Sequence, residues 1–151
     1  MGAFVGRDVL LEFAIAKEDA VVSGLTWNTL GMMRSKSMKT SWDTVDTTAD
    51  KSTAFTKESL VTFKSVEFSG DGVSRDEAIH KQKVLKSHVI SPGAATNGQP
   101  KAWIRMTDPD GSQYVGPFII SEWSDDRPYS DAATWSISAS SNGAVTFTPG
   151  A

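Results

Sequence analysis

Apolar and polar positions alternate with a period of two over most of this chain, which is the mark of strands with one buried face. Val9, Leu11, Phe13 and Ile15 fall on one side of a strand, and Asp8, Leu10, Glu12 and Ala14 on the other. Ala102, Ile104 and Met106 alternate with Trp103, Arg105 and Thr107. Ala133, Trp135, Ile137 and Ala139 alternate with Thr134, Ser136 and Ser138, and Val145 and Phe147 with Thr146 and Thr148. The segment 116–123 is more continuously apolar, as expected of a strand covered on both faces. Two further strands are expected within 25–40 and 60–69. Turn chemistry agrees: Asp108-Pro109-Asp110-Gly111 and Ser141-Asn142-Gly143 both read as hairpin turns, with glycine taking the positive φ.

One segment departs from the period of two. Ser74 and Glu77 have the spacing of a capping box, and Ala78, Leu85 and Val89 then form an apolar stripe flanked by Ile79 and Val84. Lys81, Lys83 and Lys86 occupy the outer face, and Pro92-Gly93 ends the run. A helix over about 74–89 follows. Gly70-Asp71-Gly72 reads as the strand-to-helix turn before it. The region 41–59 is polar, acidic in its first half and weakly periodic. A loop of that length is commonly functional. Trp42, Val45 and Phe55 in it either meet a partner or fold back on the chain's own core.

Composition places these elements in one domain, residues 1–151. Of the 151 residues, 39% are hydrophobic and 22% charged, near globular averages. No apolar run approaches the length of a bilayer span and the N-terminus carries no secretory pattern, so neither a membrane nor export is expected. With no cysteine, disulfides and thiolate metal sites are excluded. A net charge of −3 argues against a nucleic-acid grip, which needs a basic surface.

The search for chemistry yields no reacting constellation. His80 and His88 are the only histidines. On one helix they would sit on the order of 12 Å apart, too far to share an ion, and both are expected at the surface. In a calcium-loop register, the turn at 108–111 would put Met106 and Pro117 at ligand positions. Asp43, Asp46 and Asp50 lie in a polar segment with nothing to shift a carboxyl pKa. Ser35, Lys36 and Ser37 alternate across a strand and cannot converge. No enzyme, metal or cofactor is expected. Acids gather at 43–50, 108–110 and 122–131, and bases at 34–39 and on the helix. That layout fits ordinary solvated faces, or an acidic end packing head-to-tail on a basic one.

Four stretches, in order along nearly the whole chain, resemble the major tail protein, or tail tube, family of non-contractile long-tailed bacteriophages. They are Gly6-Arg7-Asp8-Val9-Leu10-Leu11; Arg34-Ser35-Lys36-Ser37-Met38 with Asp43-Thr44-Val45-Asp46-Thr47; Phe68-Ser69-Gly70-Asp71-Gly72-Val73; and Gly116-Pro117-Phe118-Ile119-Ile120-Ser121 with the closing strands. The resemblance implies a mainly β fold, a β-sandwich or half-barrel with one flanking helix, assembling into a hexameric ring. It implies rings stacked around a tape measure protein, capped by tail terminator and tail-tip proteins, with double-stranded DNA later passing through the lumen without specific binding. It places the protein in the virion tail, assembled in the bacterial host cytoplasm. The helix is then expected on the outside of the barrel. The inter-ring or inter-subunit contact candidates are Trp42, Asp43, Val45, Asp46 and Phe55 in the long loop, with Arg34 and Lys36. Two rivals remain: a tube or ring protein of a related injection or secretion machine, and a monomeric β-sandwich that binds a ligand through its tryptophans.

Overall fold

The structure is a computed structural model that describes residues 3, 5–47 and 59–150, the side chain of Ala78 excepted. Among the described residues there are eight strands and one α-helix: β1 (Leu10–Ala14), β2 (Asn28–Thr29), β3 (Met33–Asp46), β4 (Ser59–Val73), α1 (Gln82–Ile90), β5 (Lys101–Thr107), β6 (Gln113–Asp126), β7 (Thr134–Ser141) and β8 (Thr146–Thr148). All described pairings are antiparallel, in the order β2-β1-β5-β6-β7-β4-β3, with β8 added on β6. The Asp108-Pro109-Asp110-Gly111 turn joins β5 to β6 as expected, with Gly111 at φ 92°.

Chain length forces this sheet to fold over. Strands lie about 4.8 Å apart, so in a flat sheet β2 and β3 would sit roughly 29 Å from each other. Yet Leu30-Gly31-Met32 alone joins them, a reach of at most roughly 14 Å. The fold-over uses β6. Its first half pairs with β5 and β8, its second half with β7, and a register irregularity sits between Ile120 and Glu122. The result is two plies, β2-β1-β5-β6-β8 and β6-β7-β4-β3, with one core between them. Leu11, Phe13, Phe68, Ile104, Phe118, Ile120, Trp135 and Ile137 are all nearly inaccessible there. Trp123 stacks on Trp135 with ring centroids 4.9 Å apart. Each such side chain contributes on the order of 1.5–3 kcal/mol through burial.

Several local expectations are corrected. The helix starts at Gln82, not near Ser74, and no capping box forms. Ser74 N–H donates to Ala133 O instead, and its hydroxyl accepts from Arg127. Lys81, at φ 57°, breaks any continuous run from the short 3-10 turn at Ala78–His80. Gln82 takes over the junction. Its Oε1 accepts from Arg75 N–H at 2.9 Å, while its Nε2 donates to Gly31 O and Val73 O at 3.0 and 2.9 Å. One side chain thereby ties the link between plies, the end of β4 and the start of α1. Leu85 of the stripe is buried, but Ile79 and Val84 face solvent. His88 is also buried, its Nε2 lying 2.7 Å from Lys101 O, because the helix packs over the start of β5.

Gly70 and Gly72 lie inside β4 and make no turn. A Cβ on Gly72 would come within 2.5 Å of Met32 O and 3.0 Å of Trp135, so close packing requires the glycine. Ser141-Asn142-Gly143 does not fold β8 back on β7 either. Both strands pair with β6 in the same direction, and the step from Phe118–Ser141 to Val115–Thr146 takes three residues on one strand and five on the other. It is an interruption along one edge. Between 25 and 40 only β2 and the start of β3 are strand. Residues 15–27 instead cover β5: Trp103 Nε1 donates to Lys17 O at 2.8 Å, and Arg105, paired with Glu12 at 2.7 Å, stacks on Trp27.

Candidate functional site

The strand alternation that fills the core continues past it. β3 runs on to Asp46 and β4 begins at Ser59, so both ends of the expected loop at 41–59 are paired strand; residues 48–58, with Phe55 and Asp50, lie outside the described residues. β4 pairs with β7 only from Glu67 onward. Beyond the Val66 N–H to Ser141 Oγ bond, β3 and β4 project as a two-stranded arm, held in register by Trp42–Lys64, Thr44–Val61, Val45–Leu60 and Asp46–Ser59.

Both faces of this arm are apolar and uncovered. Val45 and Leu60 share one face, and Thr44 and Val61 the other. A register irregularity separates them from Trp42, over whose ring Lys64 lies at 5.8 Å, and Phe63 falls within it. All five large side chains are exposed, Phe63 at 74% and Leu60 at 64%. A two-stranded ribbon is marginal by itself, and clustered exposed apolar groups mark a partner surface. The ribbon reading therefore replaces the loop folded back on its own core.

The sequence candidates separate accordingly. Trp42, Asp43, Val45 and Asp46 lie on the arm and are exposed. Arg34 stands at the far end of β3, exposed. Lys36 is spoken for within the chain: it is partly buried, its Nζ donates to Gly6 O at 3.1 Å, and burial pushes its pKa down. Leu60, Val61 and Phe63 were not singled out by sequence reasoning. Their signal was present, since adjacent apolar residues in a strand cannot share one covered face.

A second surface lies on the outward face of β6-β7-β4-β3. Cross-strand rows there read Ser35–Asp71–Ser136–Ser124, Ser37–Ser69–Ser138–Glu122 and Lys39–Glu67–Ser140–Ile119. The face is concave, with a groove of about 260 Å³ among Ser37, Ser69, Ser121, Ser138 and Ser140. Asp71 accepts from Ser35 N–H and hydroxyl. Against Lys39 stand three acids, Glu67, Asp71 and Glu122. This ply also has two edges without a strand partner among the described residues: the outer side of β3 and the 121–126 half of β6. β3 and β6 run antiparallel to each other, three antiparallel steps apart.

The charge layout does not segregate by end. One acid of 122–131 comes to a lysine of the helix: Lys86 Nζ lies 2.6 Å from Asp125, and Arg127 lies 3.2 Å from the same carboxylate. Partial burial pushes the Asp125 carboxyl up, but hydrogen bonds from Lys86 and Trp123 and the charges of Lys86 and Arg127 outweigh it and hold it below the usual range. A depressed folded-state pKa stabilises above the unfolded-state value and is lost as pH falls through the folded one. Asp125→Asn is thus expected to lower stability at pH 7 and to flatten its decline below about pH 4. Denaturant titrations from pH 2 to 7 check this; superimposable profiles would remove the assigned role.

No group of three His, Cys, Asp or Glu among the described residues could hold a metal, and no helix among them is long and apolar enough to cross a membrane. What the arrangement offers is surface: a two-faced arm, two open edges and a polar concave face. Residues 3–147 match the family model described as phage tail tube protein. No curated protein sequence matches the chain. Among solved structures, the virion of a native gene transfer agent particle matches with a TM-score of 0.72 at 22% identity, over 97% of this chain and 100% of that one. The tail of an empty gene transfer agent particle, with C6 symmetry, matches at 0.70 and 21%, over 97% and 100%. The SPP1 tail tube matches at 0.63 and 13%, over 96% of this chain and 78% of that one. At these identities the three structures share the fold.

Proposed function

This chain belongs to the phage tail tube protein family, and from that premise we propose that it is the structural subunit of a virion tail tube, six copies to a ring, with rings stacked into a conduit for the genome. It is a structural protein and not an enzyme. The observation that carries the ring is the ply β6-β7-β4-β3. An open sheet edge invites pairing unless it is blocked. The free side of β3 in one copy can pair with the 121–126 half of β6 in the next, antiparallel, without reversing any strand. Such a contact is heterologous, and repeated rotation closes it. Six steps are suggested by the C6 symmetry of one structure that shares the fold.

Ring closure in this sense sets the concave serine face inward. Its hydroxyls offer hydrogen bonds without a phosphate-binding charge, and its acids outnumber its single lysine. Double-stranded DNA would move past such a wall with little grip. A tape measure protein would occupy this lumen before the genome does. Terminator and tip proteins would meet the two ends, and assembly would take place in the host cytoplasm. The arm then serves the contact between rings, through Trp42, Asp43, Val45 and Asp46 with Leu60, Val61 and Phe63.

The absence of native cysteine gives a clean test. Chains carrying Ser37→Cys on β3 and a cysteine in place of Ser121 or Ser124 on β6, joined by a short bis-maleimide, are expected to give a covalent ladder that stops at six. A maleimide-linked heavy-atom label on Ser138→Cys is expected to put density on the tube axis. No ladder from either pair would overturn β3–β6 closure, and density at the outer rim would overturn the lumen assignment. A chain that stays monomeric at high concentration and on preformed tube ends would instead favour a ligand-binding module.

A further inference from the structure

A projecting apolar arm needs a socket, and no described residue of its own chain covers it. β3 has 14 residues, Met33 to Asp46, so at about 3.3 Å per residue the arm's last pair lies roughly 43 Å from the other end of the strand. At that other end four segments meet. Val73 N–H donates to Met32 O, Gly31 N–H to His80 O and Ser74 N–H to Ala133 O, while Arg127 bonds the Ser74 hydroxyl. They surround a hollow of about 370 Å³ lined by Ser74, Arg75, Asp76, Glu77, Arg127 and Ala133. Its surroundings carry uncovered apolar side chains: Tyr129 is fully exposed, Ile79 is 77% exposed and Met32 38%.

We propose that this end of the sheet, built from Met32, Arg75, Ile79 and Tyr129 around the hollow, is the socket for the arm of a second copy, with Asp43 of the arm set against Arg75. The proposal rests on the tail-tube reading and deepens it by naming the receiving surface. Arm and socket lie at opposite ends of one long strand pair, so only a head-to-tail relation of copies brings them together. Such contacts generate an open stack. Charge gives the pairing a direction. Arg127 is tied to Asp125 and to the carbonyls of Asp126 and Thr134. The acids beside Arg75 have partners of their own, Asp76 facing Lys83 at 3.9 Å and Glu77 lying 4.0 Å from the His80 ring. Arg75 has no ion pair among the described residues, and neither does Asp43 on the arm. Asp126, the last residue of β6, and Asp131, on the loop that carries Tyr129, also sit at this end; with Arg127 and Lys83 each facing an acid, Arg75 is the cation left at the mouth of the hollow.

A charge exchange tests the pairing. Asp43→Arg and Arg75→Asp, each alone, are expected to lower tube yield by at least about tenfold, because one like-charge contact recurs in every copy of a ring. The two together are expected to restore yield to within about threefold of the unaltered chain. Ile79→Lys, at an exposed position, is expected to leave a folded monomer that adds to no tube end. Sizing and circular dichroism establish that each variant folds, and electron microscopy with sedimentation measures tubes. Tubes of ordinary length from the single variants, or a combined variant no better than either, would overturn the socket while leaving the tail-tube reading intact. Failure of the unaltered chain to form tubes, at high concentration and on preformed ends, would overturn both.

Discussion

Leu60→Ser with Phe63→Ser yields a monomer that melts within about 2 °C of the parent and forms no tubes. The two residues are 64% and 74% exposed on the arm, so the free subunit loses almost no packing when they become polar. Exposed substitutions of this kind change stability by less than about 0.5 kcal/mol. In a tube the same side chains have apolar surface to bury, worth about 1.5–3 kcal/mol each, and every copy of a ring loses both. Two single variants separate the faces. If one face alone is covered in the assembly, only one of Leu60→Ser and Val61→Ser, neighbours on opposite faces, will block tubes. Normal tubes from the double variant, seen by negative-stain microscopy, would show that the arm takes no part in assembly.

Gln82→Leu has the largest expected effect on the fold itself. Leucine fills the space but leaves Arg75 N–H, Gly31 O and Val73 O without the partner they have now. Unsatisfied buried groups cost about 1–3 kcal/mol each. With Gln82 only 6% exposed, water cannot readily replace the side chain. A loss of about 2–4 kcal/mol is expected, or roughly 6–12 °C in melting temperature for a chain of this size. Because Gly31 lies in the link between the two plies, the loss should also appear as faster amide exchange at residues 30–32 and 73–75. A shift below about 1 °C would mean that the junction is held by other contacts.

Period-two alternation exposed the core strands with good fidelity, since Leu11, Phe13, Ile104, Trp135 and Ile137 all point where their spacing says. The alternation failed where tertiary contacts set the outcome. Ser74 and Glu77 have the right spacing for a capping box, but the backbone of Ser74 is claimed by Ala133, which lies 59 residues on, and no local pattern announces that. Gly70 and Gly72 looked like turn residues because glycine is rarer inside strands; the reason for Gly72 is the ring of Trp135, which sequence cannot place. His88 looked like a surface residue for want of any sign that Lys101 O would come to meet it.

The site was half legible. Trp42 and Val45 were noticed because apolar groups stand out in a polar stretch. Leu60, Val61 and Phe63 were passed over because a run of apolar residues in a strand is ordinarily core. The difference between a core strand and a projecting one depends on where β7 stops, at Ser141, and so on a neighbour far away in sequence. The serine rows were likewise visible as alternation, but their alignment into one face depends on which strands pair and in what register, which alternation does not say. Family resemblance supplied the ring; the free edges of β3 and β6 supply a way to close it.

The order of the strands has a kinetic side. β3 and β4 are consecutive in the chain, and pairing of neighbouring strands takes on the order of microseconds. β1 must find β5 across a gap that the Glu12–Arg105 contact spans, 93 residues, and such long-range closures are slow. The ribbon that carries the sticky arm is therefore finished before the sheet that anchors it. A newly made chain would then pass through an interval in which its arm and its β3 edge are formed while the sheet that anchors them is not, and the slower closures, β1 on β5 among them, would set how long that exposure lasts.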